Sequence, residues 1–420
     1  PELSVVSRFR RHYPYESLTA HVVGHLRPIS KAAVDADPNL ERDTMVGATG
    51  IEASNNDFIA GTSGERWLMV SAVGRQLGVV SEIKPQPGHD LGTTLDIELQ
   101  EVAARALGDR AGAVVALDPR SGAVRVMYSA PSFDPDVFGG RLSRKDWLAL
   151  QEDPLHPLQN RCLQGVYPPG STIKPFLALA GLAEGTIDPG TTVFCNGSVV
   201  HYGHLFRCWR RGGHGFVKLE RALAESCDVY FYQLGRRLGI ESMAPWLHRF
   251  GFGERTGLDL KFENSGLIGT PEWSRRVRGT PWYPGEAISV SIGQGPVLAT
   301  VLQLARGFAA LANGGRLISP HLVTQPSGDR VEPMVNQDRL ALVTSALEQV
   351  VHGPAGTARR MARLPMAGKT GTAQVARLQD GVDSDDLAPH LRHHAWFVGW
   401  APLDQPELVV SVIVEHGGDG

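Results

Sequence analysis

The period of the apolar positions changes several times along the chain, and the changes mark out elements. In "TLDIELQEVAARAL" a short run reads as a strand; Leu99, Val102, Ala103 and Leu107 then fall near helical spacing. "GAVVALDPRSGAVRVMYSAP" follows, with two runs rich in valine and alanine on either side of "DPRSG", which predicts a hairpin. A mostly helical middle is expected from about 145 to 240, then a loop-rich stretch. "TVLQLARGFAALANGG" predicts a helix stopped by glycine. Three strand candidates close the chain: "MAGKTGTAQVA", "HHAWFVGWAP" and "ELVVSVIVEHG". Strands, then helices, then strands predict an α+β fold with helices packed on an antiparallel sheet. Residues 1–92 differ: they are irregular, rich in turn formers and charges, and "KPQPGHDLG" reads as a linker. The expected domains are therefore 1–92 and 93–420.

Composition narrows the picture little. The 420 residues suffice for an ample core, and a net charge of -3 gives no electrostatic case for nucleic acid as a partner. No apolar run approaches the roughly 18 residues that cross a bilayer. The chain opens without an initiator methionine or signal peptide, so the expectation is that a removed N-terminal segment precedes it.

The cysteines change the picture more. Cys195, Cys208 and Cys227 share one stretch with His201, His204 and His214, while Cys162 stands apart as a packed residue. Cys195, Cys208, His214 and Cys227 could supply four ligands to one tetrahedral zinc. A Cys195–Cys208 disulfide and plain buried thiols are the competing readings, since the gaps match no zinc-finger pattern. His201 and His204 are substitute ligands should Cys195 not serve.

The candidate chemistry begins at "YPPGSTIKPF", where Lys174 follows Ser171 by three places at the start of an apolar helix. Serine and lysine at that spacing share one helix face, and a helix N-terminus favours negative charge. The pattern alone is weak: Ser81 and Lys84 match it in a segment with no helix signal, and Ser54 with Asn56 mimics S-x-N. A second piece is Ser226 and Asp228 at a junction of two helical runs, where the bland reading is a helix cap. A third is Lys369-Thr370-Gly371-Thr372, a basic residue and two hydroxyls on a strand, with a glycine that permits close backbone approach.

In chain order the three pieces resemble the signature of penicillin-binding proteins and serine β-lactamases. "TLDIELQ", "ALDPRSGAV", "GVYPPGSTIKPF", "SIGQGPVLATVLQLARGFAALANGG", "GKTGTAQ" and "AWFVGWAP" resemble landmarks of class B penicillin-binding proteins from about residue 93 onward. The cysteine region resembles the elongation-type, penicillin-binding protein 2 group. Some members of that group hold a structural zinc, with one cysteine inside the S-x-D motif where Cys227 stands.

The resemblance implies a penicilloyl-serine transferase (β-lactamase/transpeptidase-like) domain on an N-terminal pedestal, and D,D-transpeptidase activity on peptidoglycan stem peptides, inhibited by β-lactam antibiotics. Ser171 would be the nucleophile and Lys174 its base, the lysine's pKa lowered by burial and by Lys369. Ser226 would relay the proton. The Ser171 and Thr372 amides would form the oxyanion hole, with Lys369, Thr370 and Thr372 holding the donor carboxylate. Asp228 departs from the asparagine of many relatives; a carboxylate beside Lys174 opposes a neutral base unless Lys369 pairs with it.

The resemblance further implies a membrane glycosyltransferase and a rod-complex scaffold protein as partners, at the periplasmic face of a bacterial inner membrane, with the anchor absent from this chain. It implies a helix beyond "VEHGGDG" that packs on the sheet, and a mobile loop at 376–392 beside the site. A division-type transpeptidase, a serine β-lactamase and a non-catalytic β-lactam sensor are the rivals.

Overall fold

The hairpin signal and the three C-terminal strand candidates meet in one sheet. In the computed structural model, residues 11–36, 44–139, 142–324, 332–375 and 386–420 are described. They group into two units: the first takes the described residues up to Thr93 with Ser132–Pro154 and Asp259–Lys261, the second the remainder. Of the expected loop at 376–392, residues 376–385 lie outside the described residues.

The first unit is built from short pieces. Helix Glu16–Val23 packs on helix Gly50–Ser54, and buried Glu52 takes an ion pair from Arg11 at 2.9 Å. Phe138 stacks on His25 at 4.0 Å, which explains why a segment after residue 131 belongs here. A hairpin of Glu65–Val70 and Gln76–Ile83 leaves Trp67, Leu77 and Val80 exposed; Ser81 of the decoy pair lies on it.

The second unit carries the chemistry. Asp96 caps helix α1 (Ile97–Leu107) through the amide of Leu99. The strand expected just before it does not form. The Thr94 and Asp96 amides donate only single bonds, to Leu322 and Arg125. Strands β1 (Gly112–Leu117) and β2 (Val124–Ala130) make the expected hairpin, its turn held by Asp118 accepting from the Arg120 amide at 2.8 Å.

Helix α2 (Lys174–Ala183) follows, buried over nearly its whole length. The helical middle is then interrupted. Four short strands, β3 (Val193–Cys195), β4 (Ser198–His201), β5 (His204–Arg207) and β6 (Gly215–Val217), pair as two ribbons. Alternation here is too brief to read as strand, and glycines at 197, 203 and 213, all at positive φ, reverse the chain.

Helices α3 (Leu219–Ala224) and α4 (Asp228–Arg249) come next, the latter broken at Gly239, φ +68°. Helices α5 (Val301–Ala312) and α6 (Gln337–His352) precede strands β7 (Ala367–Ala373), β8 (His394–Ala401) and β9 (Leu408–Val414). The sheet order is β7-β8-β9-β1-β2, antiparallel throughout. Helices α5 and α6 contact the sheet, and Phe308 of α5 meets Phe176 of α2 edge-on at 5.6 Å. Along β9, Val409, Ser411 and Ile413 are buried, while Leu408, Val410, Val412 and Val414 turn half-buried to the α1 side. Among the described residues no helix is long and apolar enough to cross a membrane.

Candidate active site

The YPPG turn delivers Ser171 to the edge strand of this sheet. Gly170, at φ +55°, leaves no room for a Cβ against the Thr372 carbonyl, and its N–H donates to Gly293 O at 2.9 Å. Gln294 Nε2 donates to the same Thr372 carbonyl at 2.9 Å, so three backbone segments close on one point. Ser171 lies in a 3-10 turn, Gly170–Ile173, and the α-helix begins only at Lys174. Proline explains the offset. Pro175 has no N–H to offer the Ser171 carbonyl, which takes the i+3 bond from Lys174 instead.

Lys174 is fully buried, and three acceptors surround its ammonium. Nζ donates to Asp228 Oδ1 at 2.7 Å, Ser226 O at 3.0 Å and Ser226 Oγ at 3.2 Å. Its hydrogen bonds do not include Ser171 Oγ; contacts of that kind often tighten only once substrate is bound. Asp228 Oδ2 accepts from the Trp209 amide at 2.9 Å. Burial raises the Asp228 pKa, and the Lys174 charge offsets only part of that rise.

Lys369 is also fully buried, on β7, and among the described residues its side-chain nitrogen donates only to the Thr370 carbonyl, at 3.2 Å. Among the described residues it has no ion-pair partner. Burial, then the charge of Lys174, hold its pKa well below the ordinary 10.5, with Asp228 acting weakly in the opposite sense. One expectation thus changes: the carboxylate of Asp228 pairs with Lys174, not with Lys369. Thr370 Oγ1 donates to Thr357 Oγ1 at 2.8 Å; Thr370 and Thr372 are half-buried, Gly371 buried.

An unpaired buried amine is costly, which yields a test. The fold favours neutral Lys369, so the unfolded chain binds the extra proton, and the stability cost fades as pH rises towards 10.5. Lys369→Met is expected to abolish β-lactam acylation while raising stability by about 1–2 kcal/mol at neutral pH. That gain should shrink in urea melts near pH 10; a pH-independent gain, or none, contradicts the assignment.

The cysteine region forms a second cluster against the first. Cys195, Cys208, His214 and Cys227 are buried, with their ligand atoms within 4.8 Å of one another. His214 Nδ1 lies 3.6 Å from Cys195 Sγ and 3.5 Å from Cys208 Sγ. Zinc bonds of ~2.3 Å to sulfur and ~2.0–2.1 Å to nitrogen, at tetrahedral angles, give an N–S edge of roughly 3.6 Å, so these side chains fit that ion. The hydrogen bond between Cys208 and Cys227 lowers the first thiol's pKa and raises the second's. All four cysteines are free, and the alternative disulfide is not formed. His201 and His204 face each other at the end of the β4–β5 ribbon, outside the cluster. Cys162 packs with Sγ 3.3 Å from Tyr128 O.

Trp209, Gln294 and Thr357 were not singled out by sequence reasoning. "SIGQG" marked Gln294 only as a landmark, and nothing local marks a tryptophan after a cysteine.

A serine on a helix turn, two buried amines and a carboxylate suit acyl transfer through serine. Comparison with known proteins defines the class. Residues 112–420 match the Penicillin binding protein transpeptidase domain and residues 1–93 the Penicillin-binding Protein dimerisation domain. Peptidoglycan D,D-transpeptidase MrdA of Acinetobacter baumannii is 38% identical over 437 residues, 100% of this chain and 65% of the relative. The Escherichia coli protein of that name is 36% identical over 444 residues, 100% and 70% respectively. The chain thus spans about two thirds of the length of these relatives.

Among solved structures, Pseudomonas aeruginosa PBP2 in complex with WCK 5153 is similar with TM-score 0.83 and 38% identity, covering 99% of this chain and 89% of that one. The Helicobacter pylori PBP2–MreC complex gives 0.88 and 31%, covering 98% and 76%. The chain belongs to the class B penicillin-binding proteins, in the PBP2 (MrdA) branch of peptidoglycan D,D-transpeptidases.

Proposed function

We propose that this chain cross-links peptidoglycan stem peptides during cell elongation through an acyl-serine intermediate, and that β-lactams acylate the same serine. Ser171 Oγ attacks the carbonyl of the donor's D-alanyl-D-alanine bond, and Lys174 takes the hydroxyl proton once neutral. The Ser171 and Thr372 amides stabilise the oxyanion. Ser226 passes the proton to the departing D-alanine amine, and the acceptor amine then attacks the acyl carbonyl, its proton returning through Lys174 to Ser171 Oγ as the ester bond breaks. Lys369, with Thr370, Gly371 and Thr372, receives the donor's terminal carboxylate, whose charge would restore the proton that burial disfavours on the Lys369 amine. The observation that carries this reading is the contact of Lys174 with both Ser226 and Asp228 at the base of the Ser171 turn.

Zinc held by Cys195, Cys208, His214 and Cys227 would act as a structural cross-link. Gripping Cys227, it would fix Ser226 and Asp228 on either side. The pedestal would meet a scaffold protein, a reading supported by the similarity to H. pylori PBP2 in its complex with MreC. It would also meet a glycosyltransferase. In support, the chain is similar to part of a peptidoglycan synthase complex that coordinates polymerization and crosslinking. The setting proposed is the periplasmic face of the inner membrane.

Intact-mass analysis after benzylpenicillin tests the chemistry. The expected result is one stable adduct of the whole drug on Ser171, since ring opening expels nothing, and none on Ser171→Ala. Rapid loss of the adduct with drug turnover would favour a β-lactamase, and no adduct on the wild type a non-catalytic protein.

A further inference from the structure

We infer that Trp209 is a positioning residue for the acyl-transfer reaction, its indole N–H holding the Ser226 carbonyl so that the Ser226 hydroxyl and the Lys174 amine stay aimed. The starting point is backbone strain. Ser226 has φ +55°, a left-handed conformation that is strained for a residue with a Cβ and persists only where neighbours hold it.

Two donors hold it here. Lys174 Nζ reaches Ser226 O at 3.0 Å, and Trp209 Nε1 reaches it at 3.1 Å while also meeting Glu225 O at 3.1 Å. The backbone N–H of Trp209 donates to Asp228 Oδ2 at 2.9 Å, which leaves Oδ1 to Lys174. The contacts close a ring: Trp209 amide, Asp228, Lys174, Ser226 carbonyl, Trp209 indole. One residue from the β5–β6 connection thereby grips both outer members of Ser226-Cys227-Asp228.

Burial does not account for the side chain, since Trp209 is 58% exposed. The indole N–H is the separable part of the grip, because the amide stays whatever the side chain. Without it the Ser226 carbonyl keeps only the ammonium as donor, and the 225–227 backbone can relax from its left-handed turn. Lys174 then loses a fixed acceptor, and the proton path from Ser171 through Lys174 to Ser226 loosens. The carboxylate subsite on β7 lies on another element, so the covalent step suffers and substrate capture does not.

The inference rests on the serine acyl-transfer reading above. Its test is stopped-flow acylation by a fluorescent penicillin of the wild type, of Trp209→Phe, and of protein with benzothienylalanine at 209, where sulfur replaces the N–H in a ring of the same shape. In both variants the acylation rate constant is expected to fall about tenfold or more, the cost of one lost hydrogen bond at a reacting group. The dissociation constant of the pre-covalent complex should stay within about twofold, and the melting temperature unchanged. Wild-type rates in the benzothienylalanine protein overturn the inference, as does a loss confined to the dissociation constant or tracking a fall in melting temperature. Failure of the underlying reading looks different: the wild type itself forms no adduct at Ser171.

Discussion

Lys174→Met is expected to slow acylation by penicillin roughly 10²–10⁴-fold, the range for removing a positioned general base. It should also destabilise the protein by about 3–5 kcal/mol, because Asp228 would remain as a buried carboxylate without its counter-charge. The two effects separate in a double variant. Lys174→Met with Asp228→Asn removes the orphaned charge, and the amide oxygen can still accept from the Trp209 N–H. Urea melts should show most of the stability regained, while stopped-flow acylation stays as slow as in the single variant. If Lys174→Met acylates within about tenfold of the wild type, the base is another group.

Cys227→Ser carries the second large effect. The wild type is expected to hold about one zinc per chain, and the variant none, because the hydroxyl is a poor replacement for a thiolate ligand. Loss of the cross-link should cost more than about 3 kcal/mol, given what structural zinc contributes to small folds. Acylation should slow as well, since Cys227 lies between Ser226 and Asp228 and both touch Lys174. Metal analysis, cobalt substitution and calorimetry read these outcomes. A wild type free of metal after purification without chelators ends the zinc reading, and a fully zinc-loaded Cys227→Ser removes Cys227 from the ligand set.

How much of the site was legible in the chain varied with the range of the interactions. Ser171 and Lys174 were readable because both lie on one turn, where spacing and the Pro-Pro-Gly stop are local facts. The 3-10 start of that turn follows from Pro175, which is also local, yet it was expected as plain helix. The cysteines and His214 announced themselves by residue type. Their separation in sequence could not say that the four ligand atoms converge, nor that the intervening chain forms two β ribbons.

The chain by itself determined the hairpin, the closing strands, the helix over 301–312 and the residue types for acyl transfer, since each depends on periodicity or on neighbours within a few positions. Tertiary structure alone decided which amine takes the single carboxylate, because that choice rests on distances between α2, α4 and β7, elements far apart in sequence. It likewise decided that Trp209 sits against Ser226 and that Gln294 braces Thr372. Such contacts are set by packing of the whole unit and leave no local periodicity or spacing from which to infer them.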